Sequence, residues 1–380
     1  MERIVAHIDL DAFFVSVERL RDPKLEGYPL IIGGGGERGV VACCSYEARR
    51  FGVHSAMPMK MALRLCPDAK VIQGDMDAYS RFSSLVTEMI AEQAPLYEKA
   101  SIDEFYLDMT GMDRFFACQK WIRELRERII KESGLPLSFG MSVNKMVSKM
   151  ATDEAKPNGQ LRVPTGNEDA FIAPMQVKRI PMVGDRTFRS LTSMGVRSVG
   201  KLAELPPEYL EREFGKRGPE LWRKANGIDP TPVVPYSERK SISAERTFPA
   251  DRTDLEGPSA LLVRMTEELS YELRRQSKCC SCITVKLRYS DHQTVSKQQR
   301  IPYTSADHVL LPKVKRLFEQ LFERRVRIRA VGVSLSGLVQ GGHQIDLLED
   351  SERMIGLYAA MDRIRDRFGK AAIGRALKNG

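Results

Sequence analysis

Residues 3–18, RIVAHIDLDAFFVSVE, join an alternating strand directly to a helix, and two acidic side chains lie at the join. The alternation from 3 to 11 has a period of two, which is typical of a β-strand. One face of the predicted strand carries Ile4, Ala6, Ile8 and Leu10, and the other carries Val5, His7, Asp9 and Asp11. Both aspartates therefore point the same way at the end of a strand that is apolar enough to be buried. Carboxylates clustered in a core are costly unless a positive group joins them, so we expect a cation here.

The apolar pattern divides the chain into segments of different structure. Strand and helix patterns alternate through about residue 165, with helices predicted near 57–66, 77–94 and 114–132. Residues 167–230 are typical of short helices, and the Pro-rich stretch GIDPTPVVPYSERK is typical of a linker. Strand patterns return from 241 to 337, with helices predicted at 257–276 and 310–324, and a tail with one helix follows. The sequence predicts an α+β multidomain protein with a second, smaller α/β domain.

Two of the predicted helices have specific features. The helix at 114–132 is amphipathic, and its predicted inward-facing residues are Phe115, Cys118, Ile122, Leu125 and Ile129. Asn144 is in position to cap the helix that ends before KPNG, a strong turn signal.

A second acidic pair, Asp103 and Glu104, interrupts the strand pattern of YEKASIDEFYLDMTG. On a regular strand these side chains would face opposite ways, so we expect a bulge or turn that lets both reach one cluster. Mg²⁺ prefers hard oxygen ligands and is typically held by one or two carboxylates plus substrate phosphates. Two such ions about 3.5–4 Å apart activate an attacking hydroxyl and stabilise a leaving pyrophosphate. The alternative is that these acids cap helices or pair with arginines.

The chain is basic, with a net charge of +9 and a pI of about 9.1. Residues 274–329 contain fourteen Lys/Arg and four Asp/Glu, so this one segment accounts for the whole net charge. A polyanionic partner is expected, although a solvated charged face would give the same count.

Several other classes of protein are excluded. No run of about 18 apolar residues is present, so no membrane span is expected. The N-terminus MERIVAHIDLD lacks a secretory apolar core and the seven cysteines form no paired framework, so a cytoplasmic location is expected. GGGG at 33–36 lacks the ending of a phosphate loop, and CCSC at 279–282 lacks a second Cys/His pair for zinc.

Five blocks of the sequence, in this order, resemble the Y-family DNA polymerases, specifically the DinB (DNA polymerase IV) group. The blocks are HIDLDAFFVSVE, YEARRFG, ASIDEFYLD, FGMSVNKMVSKMATDEAKPNGQ and ERKSISAERTF, and the resemblance runs from about residue 3 to 340. It implies a right-hand polymerase fold (palm, fingers, thumb) with an additional α/β little-finger domain. The implied divisions are a palm at 1–11 and 75–166, fingers at 12–74, a helical thumb at 167–232, a linker at 233–240, a little finger at 241–340 and a tail at 341–380.

The resemblance assigns roles to the acids. Asp9, Asp103 and Glu104 match the family's catalytic metal ligands, to which the backbone oxygen of Leu10 can add another. Two Mg²⁺ ions per active site are implied. Asp11 matches a position that is acidic in the family but is not a ligand, so the partners of Asp9 are the distant acids rather than its neighbour.

Five further residues match the family's contacts with the incoming dNTP. Phe13 and Phe14 lie in the first block, and Phe14 matches the steric gate, a ring that collides with a 2′-hydroxyl; its alternative role is core packing. Tyr46, Arg49 and Lys156 match groups that contact the triphosphate, where cationic clamps favour phosphoryl transfer.

Two positions depart from the family pattern. Cys43 stands where relatives often carry a threonine that bonds phosphate, and a thiol is a weaker donor. Met182 stands where a glycine is usual before Val183 and Gly184 in a segment resembling a helix-hairpin-helix. Such a motif binds phosphate through backbone N–H groups at a helix start, so the contact is expected to be weakened.

The implied contacts with primer-template DNA lie in the thumb and the little finger. They are Gly184, Lys240, Arg246, Arg288, Arg300 and Arg329. Phosphate contacts give affinity without sequence information, which suits an enzyme that copies any template.

The stretch GGHQIDLLED at 341–350 is similar to the peptide with which bacterial polymerases dock on the sliding clamp (beta clamp). The matching residues are Gln344, Asp346, Leu347 and Leu348. The resemblance therefore implies the clamp as a protein partner of a monomeric enzyme.

The implied function is template-directed, low-fidelity DNA synthesis past damaged bases, without a proofreading exonuclease. Two other functions are a non-catalytic scaffold that binds DNA and the clamp, and another two-metal enzyme on a palm-like sheet, such as a nucleotide cyclase. The presence of Asp9, Asp103 and Glu104 argues against the scaffold. The basic domain and the helix-hairpin-helix-like segment argue against the cyclase.

Overall fold

The structure is a computed structural model that describes residues 2–114, 117–235, 238–341, 351–369 and 372–374. The chain divides into two units, Met1–Ser237 and Glu238–Gly380. Their boundary lies inside the predicted linker at 233–240.

The first unit contains two sheets and most of the helices. Its strands are β1 (Val5–Leu10), β2 (Leu30–Gly33), β3 (Val41–Cys44), β4 (Lys70–Ile72), β5 (Tyr97–Lys99), β6 (Glu104–Asp108), β7 (Leu137–Ser142) and β8 (Gln160–Arg162). Its helices are α1 (Phe13–Arg21), α2 (Tyr46–Arg49), α3 (Met59–Leu65), α4 (Met76–Gln93), α5 (Cys118–Ser133), α6 (Lys145–Ala155), α7 (Glu168–Ile172), α8 (Asp185–Ser193), α9 (Val199–Ala203), α10 (Pro207–Phe214) and α11 (Gly218–Ala225).

The predicted first strand is the central strand of the larger sheet. The order is β5-β6-β1-β7-β8, with β1 antiparallel to β6 and β7, and β8 parallel to β7. All six residues of β1 are buried, because α4 and α5 pack against one face and α6 against the other. The predicted polar face, with His7 and Asp9, is therefore also inside the molecule, so its polar groups need partners.

Helix α6 lies very close to β7 and carries several residues of the site. Asn144 caps it as predicted, since its side chain accepts a hydrogen bond from the N–H of Val147 at 2.9 Å. Gly140 in β7 permits the close approach, because a Cβ there would lie 2.2 Å from the carbonyl oxygen of Ser148.

Helix α5 differs from its prediction at the N-terminal end. It begins at Cys118 rather than at residue 114, because Met112–Arg114 form a separate 3-10 turn and Ala117 has an extended backbone. Phe115, predicted to face inward, lies outside the described residues. The other predicted inward-facing residues, Cys118, Ile122, Leu125 and Ile129, are buried.

The smaller sheet of the first unit has the order β3-β2-β4. It packs with α2 and α3 through its own apolar cluster, which includes Ile31, Val41 and Met59. The helices α7 to α11 form another cluster with one face of α6, which contributes Val147 and Met150. Helix α6 therefore belongs to both the sheet and the helical region.

The second unit is an antiparallel sheet covered by helices. Its elements are β9 (Ser241–Arg252), α12 (Glu256–Arg275), β10 (Lys278–Tyr289), β11 (Thr294–Thr304), α13 (Asp307–Leu321), β12 (Ile328–Ser336), β13 (Val339–Gln340) and α14 (Ser351–Phe368). The strand order is β11-β10-β12-β9, and α12 and α13 cover one face with an apolar core. The tail helix α14 is tied to this unit by Arg274, which donates to Asp307 at 2.8 Å and to Asp362 at 2.6 Å.

The predicted fold class, α+β with an additional small α/β domain, is confirmed. Among the helices of the described residues, none is long and apolar enough to span a membrane.

Candidate active site

The three predicted metal ligands lie at one end of the central strands. Asp9 in β1 is paired across the sheet with Glu104, the first residue of β6. Directly opposed residues of an antiparallel pair share a face, so both carboxylates leave the sheet on the same side. The N–H of Leu10 donates to the carbonyl of Asp103 at 3.0 Å, which holds Asp103 beside the end of β1.

The break predicted before β6 is a bend at residues 101–103. The hydroxyl of Ser101 donates to Asp103 Oδ1 at 2.5 Å and accepts hydrogen bonds from the N–H groups of Asp103 and Glu104. This bend frees Asp103 from the strict alternation of a strand, so its side chain reaches the same cavity as Asp9.

Two lysines of the α6 region neutralise the carboxylates of Asp9 and Glu104. The ammonium of Lys156, just after α6, lies 2.6 Å from Asp9 Oδ2. Lys149, on α6, lies 2.5 Å from Glu104 Oε1, and His7 Nε2 is 3.7 Å from the other oxygen of Glu104. The family motif had indicated Lys156 but not Lys149 or His7. Lys149 reaches Glu104 from α6, and His7 reaches it from the neighbouring strand β1.

The two carboxylates have opposite pKa shifts. Burial raises the pKa of Asp9 to about 7, Lys156 opposes the rise, and the negative charges of Glu104 and Asp103 add to it. Burial would also raise the pKa of Glu104, but His7 and Lys149 outweigh it and hold that pKa well below its usual range. Lys156 therefore offsets the burial of Asp9 only in part, and a bound cation would further stabilise the charged carboxylate.

The donor set fits a divalent cation, although no ready-made cage is present. No group of three or more His, Cys, Asp or Glu side chains in the described residues is close enough to hold a metal ion. Carboxylate oxygens are nevertheless the ligands that Mg²⁺ prefers, and Mg²⁺ needs only one or two of them when substrate phosphates supply the rest. Asp9, Asp103 and Leu10 line a common cavity, whereas Glu104 is not part of its lining.

This cavity has a volume of about 140 Å³ and joins the acids to the predicted nucleotide contacts. Its lining includes Phe13, Phe14, Tyr46, Arg49 and Lys156. Residues of β1, α1, α2 and the turn after α6 therefore meet at one small polar opening.

The start of α1 borders this cavity, since Ala12, Phe13 and Phe14 are part of its lining. Ala12 has a left-handed backbone (φ 43°), and the helix begins at Phe13 without a side-chain cap. The first N–H groups of a helix lack intrahelical partners and favour anions. The backbone N–H groups of Phe14 and Val15 in this first turn have the sulfur of Cys43 as a hydrogen-bond partner, and burial raises the pKa of that thiol, which remains neutral.

Phe14 is held in a fixed orientation. Its ring stacks on Tyr79 of α4, with centroids 4.3 Å apart and planes inclined by 12°. The hydroxyl of Tyr79 donates to Glu18 Oε1 at 2.7 Å, which anchors the stack. Phe13, in contrast, is 2% exposed and packs in the main core cluster.

Asp11 connects the predicted phosphate contacts rather than the metal ligands. It is 2% exposed, and its carboxylate accepts hydrogen bonds from Tyr46 Oη at 3.1 Å, Ser138 Oγ at 2.9 Å and the N–H of Asn158 at 2.7 Å. It thereby ties α2 and the turn that carries Lys156 to the end of β1. The strand pattern had indicated an unusual acid here but not these partners.

Arg49 and Tyr46 support each other beside the cavity. The guanidinium carbon of Arg49 lies 4.7 Å from the centre of the Tyr46 ring. Burial and the negative charge of Asp11 raise the pKa of Tyr46, so its hydroxyl keeps its proton as a hydrogen-bond donor.

The helix-hairpin-helix-like segment explains why Met182 is unusual. Met182 has a left-handed backbone (φ 79°), a conformation that favours glycine, and is 69% exposed. Gly184 precedes α8 as its N-terminal cap residue and is exposed. This segment places the start of α8 at an exposed position, and its turn has a backbone cost at Met182.

The predicted DNA contacts of the second unit lie on different faces. Arg288 is paired with Thr294 and Cys282 with Arg300, so both arginines lie on the sheet face opposite the helices. Arg246 is paired with Val331, a core residue, and therefore leaves edge strand β9 on the helix side, where it is exposed. Lys240 is exposed before β9, and Arg329 is half-buried in β12.

The predicted clamp peptide cannot be placed. Gln344, Asp346, Leu347 and Leu348 lie outside the described residues.

Comparisons with known families match most of the chain. A model described as the impB/mucB/samB family matches residues 8–153, and its C-terminal domain model matches 239–347. A model described as the DNA polymerase-iota thumb domain matches residues 178–229.

Individual relatives agree with the family models. DNA polymerase IV of Dehalococcoides mccartyi (strain CBDB1) is 36% identical over 98% of this chain and 96% of its own length. DNA polymerase IV of Halorhodospira halophila (strain DSM 244 / SL1) is 38% identical over 91% of this chain and 98% of its own. A solved Y-family DNA polymerase chimera of Dbh and Dpo4 is 25% identical, with a TM-score of 0.79, over 89% of this chain and all of its own.

These matches extend over both units and include the strands that carry the acidic residues. The chain belongs to the Y family of DNA polymerases, in its DinB (DNA polymerase IV) group, and is a DNA-directed DNA polymerase.

Proposed function

We propose that this polymerase carries out low-fidelity translesion synthesis by a two-Mg²⁺ nucleotidyl transfer from dNTP to the primer 3′-hydroxyl. The observation that carries the proposal is the cavity in which Asp9 and Asp103 meet the predicted sugar and phosphate contacts. The 3′-hydroxyl attacks the α-phosphate and pyrophosphate leaves, so catalysis requires alignment and stabilisation of negative charge.

Asp9, Asp103, Glu104 and the carbonyl of Leu10 are the groups that would hold the metal ions. When bound, the ions supply activation of the attacking hydroxyl and stabilise the leaving pyrophosphate. Lys149 and His7 support this role by keeping Glu104 ionised.

The triphosphate is assigned to the positive side of the cavity. Arg49 and Lys156 provide cations, Tyr46 provides a hydroxyl donor, and the start of α1 provides backbone N–H groups. Phe14, held flat by Tyr79, is assigned to the sugar, where it excludes a 2′-hydroxyl.

Low fidelity is proposed from the small side chains around the cavity. Ala42 and Ser55 line it on the fingers side and would leave room for distorted or damaged base pairs. We assign no proofreading exonuclease to either unit. A misinserted nucleotide would therefore remain in the product unless another enzyme removed it.

The partners follow from charge and sequence. The sliding clamp is assigned to residues 344–348, and primer-template DNA to the predicted contacts of the thumb and the second unit, which are Gly184, Lys240, Arg246, Arg288, Arg300 and Arg329. Deletion of 344–348 should reduce processivity on clamp-loaded DNA and leave extension of bare primer-template unchanged. Equal processivity with and without the peptide would remove the clamp from the proposal.

Primer extension with Mg²⁺ tests the function directly. Purified protein should extend a primer opposite undamaged and lesion-containing templates, and EDTA should stop it. A scaffold would bind the DNA without extending it, and a nucleotide cyclase would consume nucleotide without template or primer. Retained 3′ mismatches after prolonged incubation would agree with the absence of proofreading, whereas excision of the mismatched terminus would contradict it.

A further inference from the structure

Two of the groups assigned to the triphosphate already have carboxylate partners in the structure. Lys156 Nζ lies 2.6 Å from Asp9 Oδ2 and 3.5 Å from Asp153. The hydroxyl of Tyr46 donates to Asp11 Oδ1 at 3.1 Å. At the end of β1, Lys156 therefore forms an ion pair with one acid and Tyr46 donates a hydrogen bond to another, so neither group is free to bind a phosphate.

The contacts of Lys156 and Tyr46 with carboxylates compete with the metal and phosphate contacts that catalysis requires. A divalent cation bound at Asp9 would lie close to the ammonium of Lys156, and two positive charges at that separation repel each other strongly. Tyrosine has one O–H hydrogen, so Tyr46 cannot donate to Asp11 and to a phosphate oxygen at the same time.

Lys156 is placed to change partners, whereas Lys149 is not. Lys156 directly follows Ala155, the last residue of α6, its side chain is 20% exposed, and it lines the cavity. Lys149 lies within α6, and neither it nor its partner Glu104 is part of the cavity lining. Movement of Lys156 needs only side-chain rotation beyond the helix end.

We infer that Lys156 is the counter-ion of Asp9 in the metal-free enzyme and is exchanged for the divalent cation when nucleotide binds. The cation binds Asp9, and the released ammonium of Lys156 binds the triphosphate. This inference rests on the proposed two-metal function. Its consequence is cooperativity: nucleotide draws Lys156 away from Asp9 and so tightens metal binding, and metal tightens nucleotide binding by the same factor.

Mn²⁺ binding in the absence of nucleotide provides the test. The variants are Lys156→Met, Lys156→Gln and Lys156→Arg. The matched control is Lys145→Met, which removes another paired lysine of α6 whose partner, Glu98, is 2.7 Å away and is not one of the proposed metal ligands. Free Mn²⁺ is followed by electron paramagnetic resonance at pH 8.0, where protons compete less for the carboxylates. Circular dichroism and thermal unfolding establish that each variant is folded, and two neutral variants are used in case one folds poorly.

The neutral variants should bind Mn²⁺ more tightly than wild type, by about fivefold or more, which is the lower range of measured coupling between sites. Lys156→Arg and Lys145→Met should bind Mn²⁺ like wild type. With dNTP and a dideoxy-terminated primer-template added, wild-type affinity for Mn²⁺ should rise by a larger factor than that of Lys156→Met.

Unchanged or weaker Mn²⁺ binding by a folded neutral variant would overturn the exchange, because a triphosphate contact alone does not affect metal binding without nucleotide. The result is separable from the proposed function. If wild type extends primers with Mg²⁺ but the neutral variants show no tightening, the exchange is wrong and the function stands. If wild type extends no primer, the function itself fails.

Discussion

Asp9 lies in β1 and Asp11 directly follows the strand, and the two acids have different kinds of partner. Asp9 faces a lysine and two other acids, and burial raises its pKa to about 7. Asp11 accepts hydrogen bonds from two hydroxyls and a backbone N–H. The neutral donors at Asp11 satisfy its hydrogen-bonding capacity, whereas Asp9 is paired with a cation that a metal ion can replace. The first aspartate is therefore suited to bind a metal and the second to hold its surroundings in place.

Replacing Phe14 by alanine should relax the selection against ribonucleotides. The ring is held by its stack on Tyr79, and its removal opens the space that a 2′-hydroxyl would occupy. The preference for dATP over ATP, measured as a ratio of kcat/KM, should fall by at least about a hundredfold, which corresponds to about 2.7 kcal/mol. Tyr79→Ala should give a smaller decrease, since the gate remains but loses its support. A Phe14→Ala variant that still strongly prefers deoxynucleotides would show that the gate lies elsewhere.

The free energy of unfolding of the metal-free protein should decrease as pH rises. The decrease is expected in the pH range where Asp9 is protonated in the folded state but not in the unfolded state. The unfolded carboxyl has a pKa of 3.8 and the folded one about 7, so between these values the native state holds a proton that the unfolded chain has lost. Stability then falls with rising pH, by up to about 1.4 kcal/mol per pH unit. Urea unfolding in EDTA should show wild type losing stability relative to Asp9→Asn from about pH 4.5 to 7.5. A difference independent of pH would contradict the raised pKa.

The strand pattern indicated the two acidic pairs, but the roles of the individual acids and the nucleotide contacts came only from the family motif. Asp9, Asp103 and Glu104 could be assigned in this way, and the cavity contains the first two. Lys149, Ser138 and Tyr79 could not, because each contributes through a contact with a residue far along the chain. Such contacts depend on the packing of α4, α6 and β7 on β1, which a local pattern does not specify.

Helix α6 connects the sheet, the helical region and the site. It packs on β7 over Gly140 and carries Lys149, and Lys156 follows at its end. A small change in its distance from the sheet therefore changes both counter-ions of the acids.

Gly140→Ala should destabilise the protein and impair nucleotide incorporation. The new Cβ would lie 2.2 Å from the carbonyl oxygen of Ser148 and 2.4 Å from the backbone nitrogen of Thr152, so α6 must move. We expect a loss of about 1–3 kcal/mol in the free energy of unfolding, the usual range for overpacking, and a lower kcat. Gly34→Ala is the matched control, since a Cβ there meets nothing within 4 Å. Equal effects of the two substitutions would refute the close-packing argument.

The helices and strands were predicted well where periodicity was strong and less well at their ends. The pattern indicated α5 correctly but began it too early, because amphipathicity does not show where a separate turn precedes the helix. The left-handed backbone of Met182 could not be predicted from a methionine, which rarely adopts it. Here the fold of the hairpin overrides the preference of the residue.

For the whole molecule, the charge count indicated a basic segment but not which of its residues are exposed. Arg274 belongs to the basic segment, yet it is buried between Asp307 and Asp362 and fixes α14 on the second unit. Arg324 is paired with Asp291 at 2.7 Å. The charge available to DNA is therefore smaller than the sequence total, and the fold decides which basic residues are exposed.

DNA affinity should fall steeply with salt, and single arginines should change the slope. Arg300 is exposed on the sheet of the second unit, on the face opposite the helices. Arg300→Gln should reduce the slope of log Kd against log salt concentration by about one, the value for one phosphate contact. Lys315→Gln, which changes an exposed lysine of α13 that is not one of the predicted DNA contacts, should leave the slope unchanged. Fluorescence anisotropy with labelled primer-template measures both, and a salt-independent affinity would contradict the assignment to phosphates.

The account depends on acids at the end of the central strands acting in nucleotidyl transfer, and single-turnover incorporation by Asp103→Asn tests this most directly. The measurement uses saturating primer-template and dNTP with Mg²⁺, and Asp113→Asn, an exposed acid of the same unit, is the control. The incorporation rate of Asp103→Asn should fall by at least about a hundredfold, as when one preorganised electrostatic group is lost, while its affinity for primer-template is unchanged. The control should incorporate nucleotide like wild type. Incorporation by Asp103→Asn at the wild-type rate would contradict the account.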